Sequence, residues 1–203
     1  MKRSYKEEYQ YWLDSPALGE EEWKELSAIA EDEKEIESRF FAPLEFGTAG
    51  LRGVMATGLN RMNIHVIRWA TQAFAAVIKA EGEEACKKGV VVCYDCRLNS
   101  ERFAREAAGV MAANGIRVRI FDALRPTPEL SFAVMHYGAT AGINITASHN
   151  PREYNGYKVY WSDGAQLPPQ HAAAVAAEMG KLDIFHDVKL MSFEEATASG
   201  LVE

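Results

Sequence analysis

Within Thr146-Ala147-Ser148-His149-Asn150-Pro151 the chain offers a hydroxyl nucleophile, an imidazole, an amide and a chain-breaking proline in direct succession. Ala141-Gly142-Ile143-Asn144-Ile145 leads into them like a buried strand, and Pro151 stops regular structure by removing a donor and fixing φ. Ser148 is therefore expected on a loop at a strand end, the edge of an open α/β sheet where ligands and chemistry gather. It could attack phosphorus or an acyl carbon. Adjacent side chains on extended backbone point to opposite sides, so adjacency does not make His149 its base. A hydrolase would also want a G-x-S-x-G elbow and a group orienting the base, and neither is visible.

Three other stretches carry matching chemistry. In Glu45-Phe46-Gly47-Thr48-Ala49-Gly50-Leu51-Arg52-Gly53 the glycines let backbone approach an anion closely, and Arg52 adds a permanently charged fork. Thr48 and Gly50 are the candidate phosphate contacts of that bend. The plain alternative is a glycine-rich hairpin, and no lysine-hydroxyl pair follows to make a P-loop. Asp95, Arg97 and Asn99 stand together after an apolar run, where Asp95 and Arg97 could simply pair; Arg97 and, beyond it, Asn150 are further phosphate candidates. Lys158 alone reads as a surface cation, but it follows Ser148 across a short hairpin that could fold it back toward the serine. Cations, a serine and a histidine gathered at one edge make a reasonable constellation for handling phosphate.

The elements that must position these residues alternate. A helix is expected from an Asn63 cap to about Ala80, a strand over Gly89–Tyr94, and a helix from a Ser100 cap to Ala113, closed by Asn114-Gly115. The strand Ile116–Ile120 follows, then a helix capped by Thr127 with Pro128 in its first turn, then the strand into Ser148. Tyr154-Asn155-Gly156-Tyr157 reads as a turn and Lys158–Trp161 as a strand too close to its predecessor to lie parallel with it. Pro168-Pro169 opens an alanine-rich helix to Met179. The fold class is thus α/β, a three-layer α/β/α arrangement with a mixed, mostly parallel sheet. Residues 1–40 read as a helical arm with Trp23, Leu26, Ile36 and Phe40 inward; 41–190 as the α/β domain; 191–203 as a linker or the start of a further domain. The arm's Tyr5, Tyr9, Tyr11 and Trp12 are read as core in preference to a partner surface.

A net charge of −7 argues against a general nucleic-acid binder, and no apolar run approaches the ~20 residues that span a bilayer. The polar start carries no signal core, so the expected compartment is the cytoplasm. Cys93-x-x-Cys96 is a lone pair with no second pair to complete a zinc site, and Cys93 reads as the end of a strand.

Thr146 to Pro151, with Ile143-Asn144-Ile145 before it and Asn155-Gly156-Tyr157-Lys158-Val159-Tyr160 after it, resembles the active-site serine segment of the α-D-phosphohexomutases. Glu45 to Gly53, Tyr94-Asp95-Cys96-Arg97 and Thr127-Pro128-Glu129 resemble that family's other first-domain loops, in the same order. The long arm, Arg61-Met62-Asn63 and Asp163-Gly164-Ala165-Gln166 resemble the phosphoglucomutase and phosphopentomutase branch more than the phosphomannomutase or phosphoglucosamine mutase branches. The resemblance implies a fold like phosphoglucomutase domain I and a Ser148 that carries a phosphoryl group, donates it to a sugar phosphate and regains one from the bisphosphate. It implies Mg²⁺ on an oxygen of the phosphoserine, Lys158 and Arg52 as flanking cations and proton-transfer candidates, and His149 as support for loop or phosphate. Family members have four domains, the second bringing an Asp-Gly-Asp-x-Asp-Arg metal loop, and nothing here resembles it or the later sugar-reading loops. The expectation is an isolated first domain, partnered by domains II to IV and by sugar phosphates of the glucose 1-phosphate/glucose 6-phosphate type, and inactive alone. Pentose or mannose phosphates, or a non-catalytic sugar-phosphate-binding module, are the alternatives.

Overall fold

Short β-branched runs separated by helix-length segments leave the chain little choice but to alternate. The computed structural model describes residues 3–48 and 50–203. In chain order the arm helices are α1 (Tyr5–Leu13), α2 (Glu20–Ser27) and α3 (Glu33–Phe40). The body follows as β1 (Leu51–Val54), α4 (Ile64–Ala80), α5 (Glu83–Lys88), β2 (Val90–Tyr94), α6 (Ser100–Ala113), β3 (Val118–Ile120) and α7 (Thr127–His136). It ends with β4 (Ala141–Ile145), β5 (Tyr154–Trp161), α8 (Pro169–Met179) and α9 (Phe193–Ala198).

The sheet order is β1-β5-β4-β2-β3. β2 pairs in parallel with both β3 and β4, whereas β5 runs antiparallel between β4 and β1. Only β5 is reversed, so the sheet is mixed with most strands in one direction. The Asn155-Gly156 pair, expected in a turn, lies inside β5, and the reversal is made earlier, by residues 147–153. Crowding explains it: a Cβ at Gly156 would stand 2.6 Å from Thr146 O and 2.9 Å from Leu51 O, the backbones on either side. Asn155, fully buried, donates from Nδ2 to Leu98 O and Ser100 Oγ, both at 3.0 Å, and accepts from Gly156 N–H.

Helices cover the two faces unequally. On one face α4, α6 and α8 pack over Val90, Val92, Ile143, Ile145, Tyr157 and Val159. On the other, α7 alone seals a small cluster in which Leu130, Ala133 and Val134 meet Val91, Cys93 and Tyr160. α7 sits so close to β4 that a Cβ at Gly142 would come within 2.8 Å of Val134 Cγ2. Asn63 caps α4 as expected, its Oδ1 accepting from Val66 N–H at 3.0 Å. Two other expected caps shift by one residue. Ser100 and Thr127 are each the first helical residue, and their hydroxyls serve tertiary contacts instead: Ser100 Oγ donates to Asp95 Oδ1 and Thr127 Oγ1 accepts from Asn144 Nδ2.

The arm shares the large apolar cluster of the sheet. Trp12 is fully buried, with its ring edge-on to Phe40, His65 and Phe185. Tyr9 is buried too and donates its hydroxyl hydrogen to Leu26 O at 2.9 Å. Trp23 departs from the helical-face expectation: it is 51% exposed, and Leu26 takes the inward position. At the other end α9 lies on α6, where Gly109 gives Met191 O room to approach. Residues 201–203 then run along β3: Val118 N–H donates to Leu201 O and Ile120 N–H to Glu203 O, at 2.8 and 2.9 Å.

Candidate active site at the Ser148 loop

Ser148 is exposed at the end of β4, with φ of 57°. The left-handed region costs an L-residue ~1–2 kcal/mol, so the surroundings must hold it there. They do so from both sides. Ser148 N–H donates to Thr146 Oγ1 at 3.0 Å, and Asn150 N–H closes the turn on Ala147 O at 3.1 Å, with Ala147 buried as the anchor.

Arg97 is the main clamp. Its Nη2 donates to Ser148 O and Asn150 O, both at 2.7 Å, and its Nη1 to Pro151 O and Tyr154 O at 2.8 and 3.1 Å. Its Nε faces Asp95 Oδ2 at 3.3 Å, and Asp95 Oδ1 accepts from Arg97 N–H and Ser100 Oγ. All the donors of the guanidinium fork are thereby spent on protein. Arg97 was expected to contact phosphate, but in this structure it fastens the loop that presents Ser148.

Arg52 takes the free place. It projects from β1 at the exposed surface, and Nη1 donates to Asn150 Oδ1 at 2.9 Å, bridging β1 to the Ser148 loop. Lys158, half-buried on β5, lies in register with Asn144 on β4. Arg52 pairs in register with Gly156, so Arg52 and Lys158 are on the same face of the sheet, beyond the reach of α7's cover. Burial, and then the like charge of Arg52, lower the Lys158 pKa from its ordinary value. A lysine so placed exchanges a proton more readily than a solvated one.

The remaining candidates divide. Asn150 is in the cluster through Arg52. Gly50 is beside it, but its N–H already donates to Gly47 O at 2.8 Å, and a Cβ there would overlap Tyr157 O at 1.8 Å, so its evident task is close packing of the hairpin on β5. Thr48 is exposed at the tip of that hairpin. His149 is exposed next to Ser148; no hydrogen bond joins it to the serine, and among the described residues no carboxylate pairs with it. Ser148 and Lys158 likewise make no direct hydrogen bond. Thr146 and Asn155 were not assigned roles from sequence: Thr146 sits one residue past the apolar run of β4, and Asn155-Gly156 has the composition of a turn. Cys93 is buried, its thiol pushed up to about 11 by that burial, and Cys96 is exposed, so the C-x-x-C spacing makes no joint site.

Mg²⁺ asks for a near-octahedral set of hard oxygens. Among the described residues no three His, Cys, Asp or Glu side chains gather as such a set. The described residues do not by themselves fit the ion, and no step below runs through it.

Residues 43–184 match the family model described as phosphoglucomutase/phosphomannomutase, alpha/beta/alpha domain I. Human phosphopentomutase is 42% identical over 174 residues, which is 81% of this chain and 28% of that protein. Phosphoglucomutase of Staphylococcus saprophyticus is 36% identical over 171 residues, 84% of this chain and 30% of that enzyme. A crystal structure of a phosphoglucomutase/phosphomannomutase family protein from Burkholderia thailandensis superposes with a TM-score of 0.57 at 25% identity, over 73% of this chain and 31% of that one. The chain therefore spans less than a third of the length of these relatives. With the match to the family model covering the sheet and every loop of the site, the chain belongs to the phosphoglucomutase/phosphomannomutase family, as its α/β/α domain I.

Proposed function

We propose that Ser148 is the phosphoryl carrier of a sugar-phosphate mutase and that this chain supplies the carrier half of the active site. The observation that carries the reading is the loop itself: an exposed serine held in left-handed backbone by Arg97, with Arg52 and Lys158 beside it and, among the described residues, paired to no carboxylate. Two cations without counter-charges are a place for an anion.

In the forward step Ser148 Oγ attacks phosphorus of a sugar bisphosphate; the Oγ–P bond forms as the P–O(sugar) bond breaks. The serine proton leaves and the departing sugar oxygen gains one, with Lys158 as the group that holds and returns it. The reverse step places the phosphoryl group on the other hydroxyl of the sugar. Catalysis of this kind rests mainly on positioning and electrostatics, which a rigid loop and fixed cations provide. Mg²⁺, sugar recognition and the third and fourth sides of the site belong to the longer enzyme, and the chain alone turns over little or no substrate. The substrate class is a hexose 1-/6-phosphate pair. A pentose 1-/5-phosphate pair is the second reading, favoured by the name and 42% identity of the human relative. A cytoplasmic location goes with either sugar; among the described residues no helix is long and apolar enough to cross a membrane.

Intact-mass spectrometry of the chain after incubation with glucose 1,6-bisphosphate or ribose 1,5-bisphosphate tests this. One added phosphoryl group is expected, absent in Ser148→Ala. A phosphoryl group retained by that variant, or full sugar-phosphate turnover by the chain alone, would overturn the reading.

A further inference from the structure

Asn144 lies in the middle of β4 and is 1% exposed. Its carboxamide is pinned at one end: Nδ2 donates to Thr127 Oγ1, in the first turn of α7, at 2.8 Å. The other end, Oδ1, is buried with no hydrogen-bond partner, alone in this respect among the described residues. Proteins seldom leave such an acceptor unmatched.

The face it sits on offers few donors. Cys93, its register neighbour on β2, directs its thiol to Arg125 O at 3.4 Å. Tyr160, further along β5, packs with Leu130, Ala133 and Val134 in the cluster under α7. The neighbour in register on β5 is Lys158, whose ammonium makes no ion pair among the described residues. Residues directly opposite on antiparallel strands have Cβ atoms ~5 Å apart, within reach of a lysine side chain that turns inward. Thr127 and the tight seat of α7 on Gly142 keep the amide from swinging away.

We infer that Asn144 is a positioning residue for Lys158: its Oδ1 accepts a hydrogen bond from the Lys158 ammonium and aims that group along the sheet face toward the Ser148 loop. The inference rests on the role proposed above for Lys158. An acceptor fixed between a helix and a strand gives the lysine one defined inward position, from which it can meet a phosphate anchored by Arg52. It also opposes the effect of burial, because hydrogen bonding to the charged form favours that form. The charged group acting on Lys158 is Arg52 on β1; Cys93 on β2 and Tyr160 on β5 are the other titratable groups of the face, with Glu129 of α7 and Asp95 acting on Cys93.

NMR titration of the full 203-residue chain with isotope-labelled lysine, the Lys158 signal assigned by its loss in Lys158→Arg, tests the pairing. Asn144→Leu keeps the volume and removes the acceptor, so the Lys158 pKa should fall by about one pH unit relative to the parent chain. Asn144→Asp replaces the amide with a carboxylate of the same shape and should raise it. A fall in Asn144→Leu is the result that a purely structural asparagine would not produce, whereas a rise in Asn144→Asp follows from the added charge alone. An unchanged or raised Lys158 pKa in Asn144→Leu overturns the inference; if Asn144→Leu fails to fold, Asn144→Ala, which also removes the acceptor, decides in its place, a fall supporting the pairing and anything else refuting it. The titration needs no phosphoryl transfer, so a chain that pairs Asn144 with Lys158 but never phosphorylates Ser148 would refute the proposed function and spare this one.

Discussion

Along β4 and β5 the odd-numbered residues Ile143, Ile145, Tyr157 and Val159 meet α4, α6 and α8, while the even-numbered Asn144, Thr146, Gly156 and Lys158 meet α7 or nothing. The first set is apolar and fully buried, with the Tyr157 hydroxyl satisfied by Thr71 Oγ1 at 3.1 Å. The second set is polar or lacks a side chain, and it includes Lys158 of the candidate site and Thr146, whose Oγ1 accepts from Ser148 N–H. Because side chains alternate along a strand, one stretch of backbone can be assigned to stability on one side and to chemistry on the other without either compromising the other's choice of residue. The price is that the chemical side stays thinly covered.

That contrast can be broken by experiment. Ile143→Ala, on the well-covered side, should cost about 2–5 kcal/mol in denaturant unfolding while leaving phosphoryl uptake per folded molecule as it was. A loss of uptake in the folded fraction would show that the two sides are not separable. Ser148→Gly should move stability the other way, raising it by about 1 kcal/mol because glycine takes the left-handed backbone without steric cost, while uptake disappears. No gain in stability would mean that the loop is not held against its own preference.

The smallest effect concerns Lys158. Its pKa in the fold lies below the ordinary lysine value of 10.5, so the unfolded chain binds the proton more tightly and the charged lysine weighs against folding. This penalty is present in full below the folded pKa and fades as pH rises toward 10.5. Lys158→Met should therefore be more stable than the parent at pH 7 by a few tenths of a kcal/mol after solvent screening, with the difference shrinking on going to alkaline pH. A difference that grows with pH would reverse the assignment of burial as the cause.

Local rules carried much of the fold. Asn63 as a cap, the proline-opened helices and the strand running into Ser148 follow from hydrogen-bonding capacity and fixed φ, which depend on a few neighbours in sequence. What failed depended on distant neighbours. Asn155-Gly156 has the composition of a turn, and only the backbones of β1 and β4 on either side make that glycine a requirement of a strand interior. Trp23 and Leu26 both fit an inward face of α2, and the packing partners decided between them. At the site, residue types located the cluster, but only the carbonyls around Arg97 reveal that its guanidinium fastens the loop. Asn144 passed unnoticed because an amide inside a buried strand has meaning only once its unpaired end is known.

The strip formed by residues 201–203 has a consequence for handling the protein. β3 is the last strand of the sheet on its side, and a bare strand edge is a template for pairing with another molecule. Leu201 and Glu203 occupy that edge, while Arg117 and Arg119 hold the Glu203 carboxylate at 2.9 and 3.0 Å. A chain trimmed by these residues would keep its whole site and lose its guard against aggregation, so its failure would appear on concentrating the sample and not in any assay of chemistry.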